Sequence, residues 1–356
     1  MRVVHVASGR EWRGGQRQVY LLACELARRS EIDSVVLTGR DTLLARRLDA
    51  AGVRLHTAPW SAGLDLRVTL ALLRELGPDT IIHAHDNHAH ALADLATRLR
   101  HALLVVTRRV MLPIRSPRRY RRAAAVIAIS EAVRREVMSA GVDARRIHVI
   151  PDAIDLTVSA EPGEWPEALP MPAGDAPLIV CVAALTVEKG LDVLLDAAAA
   201  MRPLHPSARW LVLGEGVERH SLEARRRSLD LEEIVSFPGH VPLPDAVLPR
   251  ATVVVQPSRS EGFGSSILDA LAAGVPVIAS DVGGLPEALS GGGGRLVAAG
   301  DPHQLAVAVS RLLAHPEERT ELAAAGRVGV RRFAISRLVD RTLDVYRSLM
   351  TTPTGP

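Results

Sequence analysis

The chain has 356 residues, 47% hydrophobic and 23% charged, a globular composition that excludes a disordered protein and leaves room for two domains of ordinary size. No apolar run approaches the length of a membrane span, Met1–Val6 opens as a strand and not as a signal peptide, and Cys24 and Cys181 are too few for a disulfide framework, so a cytoplasmic chain is expected. Residues 1–150 hold 25 basic and 14 acidic side chains and the remainder 18 and 26, so a basic half that suits an anionic partner is joined to an acidic half.

The first half alternates strand and helix. Apolar runs predict strands at Val3–Ala7, Ser34–Leu37, Val53–His56, Thr80–His83, Leu103–Val106, Ala125–Ile129 and Ile147–Ile150. Helices are expected from Gly14-Gly15 to Arg29, over Leu43–Ala51, Leu66–Leu76 and His88–Leu99, and after Ser130. Prolines and glycines then crowd residues 151–176, which reads as an interdomain linker. Alternation restarts with Leu178–Val182, Leu191–Met201, Ala208–Leu213, a helix through Arg227, and Ile234–Phe237. Three closing helices are expected at His303–Ala314, Pro316–Arg332 and Ser336–Met350. Such alternation implies α/β architecture with parallel, doubly wound sheets. The domains expected are 1–155, a linker 156–176, 177–335, and a terminal helix 336–356.

Chemistry concentrates in Val253–Glu287. Val253–Val255 and Val275–Ala279 are buried strands, Gly262 and Gly264 bracket Phe263 in a tight loop, Ser265 and Ser266 suit an N-cap, and Ile267–Ala273 is helical. Strand, glycine loop and helix start leave backbone N–H groups aimed outward at the positive end of a helix dipole, which suits an anion. Beside it, the carboxylates Glu261 and Asp269 suit hydroxyls, as a sugar or ribose offers. Gly14 and Gly15, in the loop after the first strand, can likewise admit a phosphate, although the G-x-G-x-x-G fingerprint is absent. Of 43 basic residues 42 are arginine, and the single lysine, Lys189, follows a strand and precedes Gly190. His83, His85, His88 and His90 cluster near Asp86, but strand and helix periodicity sends them to different faces, so no metal is expected and His85 is read as lining the crevice. Arg108–Arg122 carries seven arginines, no acid and interleaved apolar residues, a pattern fit for an anionic membrane surface; one aromatic is too few for a nucleic-acid stacking platform.

The segment Glu261–Asp269 resembles the donor-binding motif of the GT4 family of retaining glycosyltransferases, in which a Glu, seven residues and a second acid enclose a G-F-G-type loop. Asp269 replaces the more usual Glu. The resemblance extends over nearly the whole chain. It implies the GT-B fold, two Rossmann-like domains facing across a cleft, with the terminal helix crossing back to the first. It further implies a nucleotide-diphosphate sugar donor, UDP- or GDP-linked, bound without metal or other cofactor. Glu261 would touch the transferred sugar, Asp269 the ribose, and Lys189 the diphosphate, with the loop Gly262–Ser266 around them. Gly216 in LVLGEG and Val241 after Gly239-His240 would border the nucleotide, while Gly14 and Gly15 close over diphosphate and acceptor. The family's Arg before the K-G pair is Ala184 here, with Arg13 or Arg17 as substitutes. Its T-x-H pattern is Thr107-Arg108-Arg109, which puts Arg108 on the acceptor side with His85. The expected reaction is retaining transfer to a glycolipid, polysaccharide or other envelope glycan, with peripheral contact to an anionic membrane and no specific nucleic acid. A nucleotide-sugar epimerase of the same fold, or a non-catalytic nucleotide-sugar or nucleic-acid binding protein, are the alternative readings.

Overall fold

The computed structural model describes residues 1–60, 66–77, 79–156, 164–167, 169, 174, 176–241 and 246–351. Much of the linker expected at 156–176 lies outside the described residues. The chain divides into two compact units, Met1–Asp155 with Phe333–Pro356, and Leu156–Arg332.

The first unit runs β1 (Arg2–Ala7), α1 (Gly14–Ala27), β2 (Asp33–Gly39), α2 (Leu43–Ala50), β3 (Leu55–Ala58), α3 (Leu66–Glu75), β4 (Thr80–Ala84), α4 (Asn87–Leu99), β5 (Leu103–Arg108), α5 (Pro117–Arg122), β6 (Ala125–Ala128), α6 (Glu131–Ser139) and β7 (Ile147–Val149). Among the described residues these strands form one parallel sheet in the order β3-β2-β1-β4-β5-β6-β7. Val3, Val4, Val6, Ile81, Ile82 and Val105 are fully enclosed, which is why the strands read as continuous apolar runs and not as alternating ones. Strand order reverses between β1 and β4, and that is where an open α/β sheet forms its crevice.

The second unit repeats the plan with β8 (Leu178–Val182), α7 (Leu191–Met201), β9 (Arg209–Leu213), α8 (Arg219–Ser228), β10 (Val235–Gly239), β11 (Val253–Gln256), α9 (Ser265–Ala273), β12 (Val277–Ser280), α10 (Leu285–Leu289), β13 (Gly294–Val297), α11 (Pro302–Ala314) and α12 (Pro316–Gly329). Its described strands are ordered β10-β9-β8-β11-β12-β13, so the reversal falls between β8 and β11. A last helix, α13 (Ile335–Thr351), belongs to the first unit. Its Leu338, Val339, Leu343 and Tyr346 pack with Val3, Leu22, Leu26 and Ile81.

Several boundaries differ from the sequence reading for local reasons. Helix α4 starts at Asn87 because the Asp86 carboxylate accepts from the His88 and Ala89 amides, at 3.1 and 2.9 Å. Helix α9 starts at Ser265, and its N-cap is Gly264 in the left-handed region, φ +82°, so neither serine caps it. The helix after Pro316 ends at Gly329 and tightens into a 3-10 turn over Val330–Phe333.

A stack of imidazoles lies beneath the β1/β4 edge. The parallel register places His5 opposite His83, and His85 follows on the same face. His5 Nδ1 and His85 Nε2 share a hydrogen bond of 2.9 Å, and the His83 and His85 rings lie 4.0 Å apart. His83 bonds Tyr346 Oη through Nδ1, 2.5 Å, and Thr107 Oγ1 through Nε2, 2.6 Å, which ties α13 to the sheet. Burial holds His5 near a pKa of about 3. Burial, then neighbouring His and Arg109 charge, pushes His83 and His85 well below the ordinary value. Burial also lowers His90 to about 4.

These histidines are neutral in the folded chain, while an unfolded chain protonates them below about pH 6.5. Folded pKa values are depressed, so the unfolded state binds more protons and stability falls as pH drops from about 6.5 toward 4. Urea unfolding at pH 7.5, 6 and 5 should show a loss approaching 1.4 kcal/mol per pH unit for each histidine involved. Constant stability down to pH 5 would contradict a neutral stack.

Candidate functional site

At the β8/β11 reversal the loops Ala183–Gly190 and Pro257–Gly264 come together. Arg259 and Ser260 donate backbone N–H bonds to the Glu188 carbonyl, 2.8 and 3.3 Å. The Arg259 guanidinium grips both Asp192 oxygens at 2.6 Å. Gly190 sits at φ +63°, and a Cβ there would clash with the Pro257 carbonyl. This close approach brings Lys189 Nζ to 2.6 Å from Glu261 Oε2, with the side chains 20% and 11% exposed. Two residues that the family resemblance assigns to sugar and diphosphate are therefore ion-paired to each other.

Behind Glu261 is a buried polar chain that the sequence reading missed. Ser258 Oγ and Gln256 Nε2 donate to Glu261 Oε2 at 3.2 and 3.4 Å, Gln256 Nε2 donates to Ser258 Oγ at 2.9 Å, and Ser266 Oγ donates to Gln256 Oε1 at 3.3 Å. Gln256 and Ser258 are buried, and a glutamine ending the run VVVQ was the available signal. From the other side, Gly284 N donates to the Glu261 carbonyl at 3.3 Å, and Gly283, φ +58°, lets the two backbones touch. Below the pair, burial pushes the Cys181 thiol up to about 12, making it inert.

Helix α9 begins on the same loop. Gly262, Phe263 and Gly264 are buried, with Phe263 anchoring the turn from inside. With Gly264 as a cap that supplies no side-chain hydrogen bond, the Ser265 and Ser266 amides stand at the positive end of the dipole. At the far end Gly274 is left-handed and Arg327 donates to the Ala273 carbonyl at 3.1 Å, a cation placed where the dipole is negative. Asp269 is half-buried on this helix. Next to the Lys189 loop, Leu185 N donates to the Glu215 carbonyl and Glu218 N to the Leu185 carbonyl, at 3.0 and 2.9 Å. Gly216 has no space for a Cβ against the Leu185 carbonyl. Arg219 pairs with Glu215 and Glu223 at 2.5 and 2.9 Å, and its bond to Glu215 lowers that carboxyl. Val241 is half-buried, and residues 242–245 after it lie outside the described residues.

The first unit treats its β1/β4 crevice differently. Asp86 accepts from Ser8 N and Ser8 Oγ, 2.7 and 2.5 Å, besides capping α4, so the chain's own carboxylate occupies that helix start. Gly14 and Gly15 open α1, whose cap, Arg13, gives no side-chain bond and instead pairs with Glu11 at 2.5 Å. His85 was expected to line this crevice; it is 6% exposed and belongs to the imidazole stack. Arg108 is equally interior. It donates to Asn87 Oδ1 at 3.1 Å, to Tyr120 Oη at 3.4 Å and to the Leu112 carbonyl, and so fastens the loop after β5. Arg109, pairing with Asp152 at 3.2 Å, is the neighbour beside Gly15. His88 and His90 turn to Trp60 and Tyr120, while His5, unremarked in the sequence, joins His83 and His85 with ligand atoms within 4.8 Å of one another. Both His83 nitrogens are already spent on hydroxyls.

Two parallel doubly wound units, with glycine-lined loops at the reversal of the second, define a GT-B protein. The Anabaena protein HepE, solved with UDP, has the same fold: its TM-score is 0.80 at 19% identity, over 98% of this chain and all of that one. Residues 12–158 match the family described as Glycosyltransferase Family 4 and residues 170–328 match Glycosyl transferases group 1, and the chain belongs to these GT4 glycosyltransferases. Alpha-maltose-1-phosphate synthase of Mycolicibacterium smegmatis is 32% identical over 250 residues, 64% of each chain. D-inositol 3-phosphate glycosyltransferase of Nocardiopsis dassonvillei is 36% identical over 218 residues, 57% of this chain and 50% of that one. The match thus spans half to two thirds of these relatives.

The close approach at Gly190 can be tested against a control. Gly300 has φ +76° with open space around it, so Gly300→Ala bears only the left-handed penalty of about 1 kcal/mol. Gly190→Ala bears that penalty and the clash with Pro257. Its thermal midpoint should fall further than that of Gly300→Ala; equal falls would mean that the two loops can separate at little cost.

Proposed function

We propose that this protein is a retaining glycosyltransferase that moves a sugar from a UDP- or GDP-linked donor to a glycan or lipid-linked acceptor without a metal ion. The observation that carries the reading is the Lys189–Glu261 pair beside the α9 N-terminus, at the reversal point of the second sheet. A departing nucleoside diphosphate gathers negative charge. The amides at Gly264–Ser266 are fixed positive groups that meet that charge with little reorganisation, and Lys189 adds a mobile cation once it turns from Glu261. Glu261 accepts from a sugar hydroxyl and Asp269 from the ribose. HepE's complex with UDP supports the choice of nucleotide. Same-face attack, with the leaving phosphate as base, gives retention and asks for no protein nucleophile.

Release of UDP or GDP should be measured across a donor and acceptor panel in EDTA. Turnover should persist, and Lys189→Ala should abolish it with the fold intact. Lys189→Arg should restore only part, because a planar guanidinium does not fit the place of a compact ammonium. Near wild-type turnover by Lys189→Ala would sink the assignment, and a requirement for added Mg²⁺ or Zn²⁺ would sink the metal-free mechanism.

The acceptor reading includes an anionic membrane surface. Around α5, Arg115, Arg118, Arg121 and Arg122 are exposed, next to Val110 and Leu112, 40% and 60% exposed. Apolar side chains beside cations suit a lipid headgroup boundary, at about 1 kcal/mol per charge. Neutralising Arg115, Arg118, Arg119 and Arg121 together, with Arg122 left on the buried Asp94, should weaken sedimentation with phosphatidylglycerol vesicles and leave nucleotide affinity unchanged. Unaltered vesicle binding would reject this surface.

A further inference from the structure

The three hydrogen bonds received by the Glu261 carboxylate converge on one oxygen. Lys189, Ser258 and Gln256 all donate to Oε2, and Oε1 takes none of them. Lys189 is therefore committed to a side chain while standing where a diphosphate would call on it. An ammonium is a point charge on a flexible stem, so it can change partner. A diphosphate carries more charge than one carboxylate and takes the ammonium when it arrives. Glu261 then keeps Ser258 and Gln256, both held in place by the buried chain behind them.

What Glu261 gains in return depends on the ligand. An intact donor brings sugar hydroxyls that can donate to Oε1. A free nucleoside diphosphate brings none, and leaves a partly desolvated carboxylate without its cation beside a second anion. We propose that Glu261 discriminates the intact donor from the free nucleoside diphosphate product by competing with the product for Lys189, so that the ion pair re-forms as the product leaves. The proposal rests on the donor reading above and adds to it a selectivity against product.

Calorimetric titrations of UDP, GDP, UDP-glucose and GDP-mannose into wild type, Glu261→Gln, Lys189→Met and the double variant test it. Glutamine keeps the size of the side chain and removes the charge. Glu261→Gln should bind the free diphosphate about five- to tenfold tighter while gaining nothing toward the matching nucleotide sugar. In the Lys189→Met background the same change should bring a clearly smaller gain. Unchanged diphosphate affinity in Glu261→Gln overturns the proposal. An equal gain with Lys189 absent also overturns it, because simple repulsion between Glu261 and phosphate then suffices. If wild type binds none of the four nucleotides, the donor reading itself fails and the proposal with it.

Discussion

Two backbones touch at Gly190 and Pro257, and the chemistry of the second unit depends on that contact. A Cβ at residue 190 would separate the loops after β8 and β11. With the loops together, the Glu188 carbonyl receives the Arg259 and Ser260 amides, and Asp192 receives the Arg259 fork. Lys189 and Glu261 lie one residue and a few residues from these fasteners, so their 2.6 Å pairing follows from the backbone. At the surface such a pair contributes little. Here the value lies in placement: cation, carboxylate and uncapped helix start are held within one loop cluster before any ligand arrives, which is the condition for electrostatic preorganisation.

The first unit has the same topology and a different use of it. Its reversal point is filled by Asp86, which satisfies Ser8 and the first amides of α4. That helix start has no remaining call for an outside anion. At the start of α1 the cap is Arg13, which gives no side-chain hydrogen bond, and the first turn carries no acid. One fold therefore yields, by the placement of single acids, a helix start satisfied from within and others left to the solvent side. The basic excess of residues 1–150 falls on the unit whose exposed arginines surround α5.

Periodicity made the strands legible, because a strand buried on both faces is a continuous run of Val, Ile and Leu, and glycines and prolines marked its ends. The loop Gly262–Ser266 and the lone Lys189 were legible as chemistry for the same reason: their residue types are unusual where they stand. What escaped was whatever depends on register between distant strands. Proximity in sequence grouped His83, His85, His88 and His90, but the β1/β4 register selects His5 in place of the last two. Arg108 ends β5 with its side chain inward, while Arg109, just past the strand, pairs with Asp152. Gln256 and Ser258 are ordinary polar residues after an apolar run; only the fold shows them stacked behind Glu261. The reading of Ser265 and Ser266 as caps failed because a left-handed Gly264 leaves the helix start one residue earlier than a serine cap would.

Lysine and arginine are also divided by task. Arg259 on Asp192, Arg122 on Asp94 and Arg225 on Asp196 each use two nitrogens of a planar fork on one carboxylate, at 2.5 to 3.1 Å. Such a grip is specific in direction and slow to exchange for a partner of another shape. It suits joints that stay closed: loop to helix start at Asp192, α5 to α4 at Asp94, α8 to α7 at Asp196. Lys189 holds Glu261 by a single nitrogen whose three protons can turn to any oxygen within reach. A guanidinium in that position could grip Glu261 with two nitrogens, as Arg259 grips Asp192. A chain that uses arginine 42 times and lysine once has its lysine in the ion pair beside the start of α9.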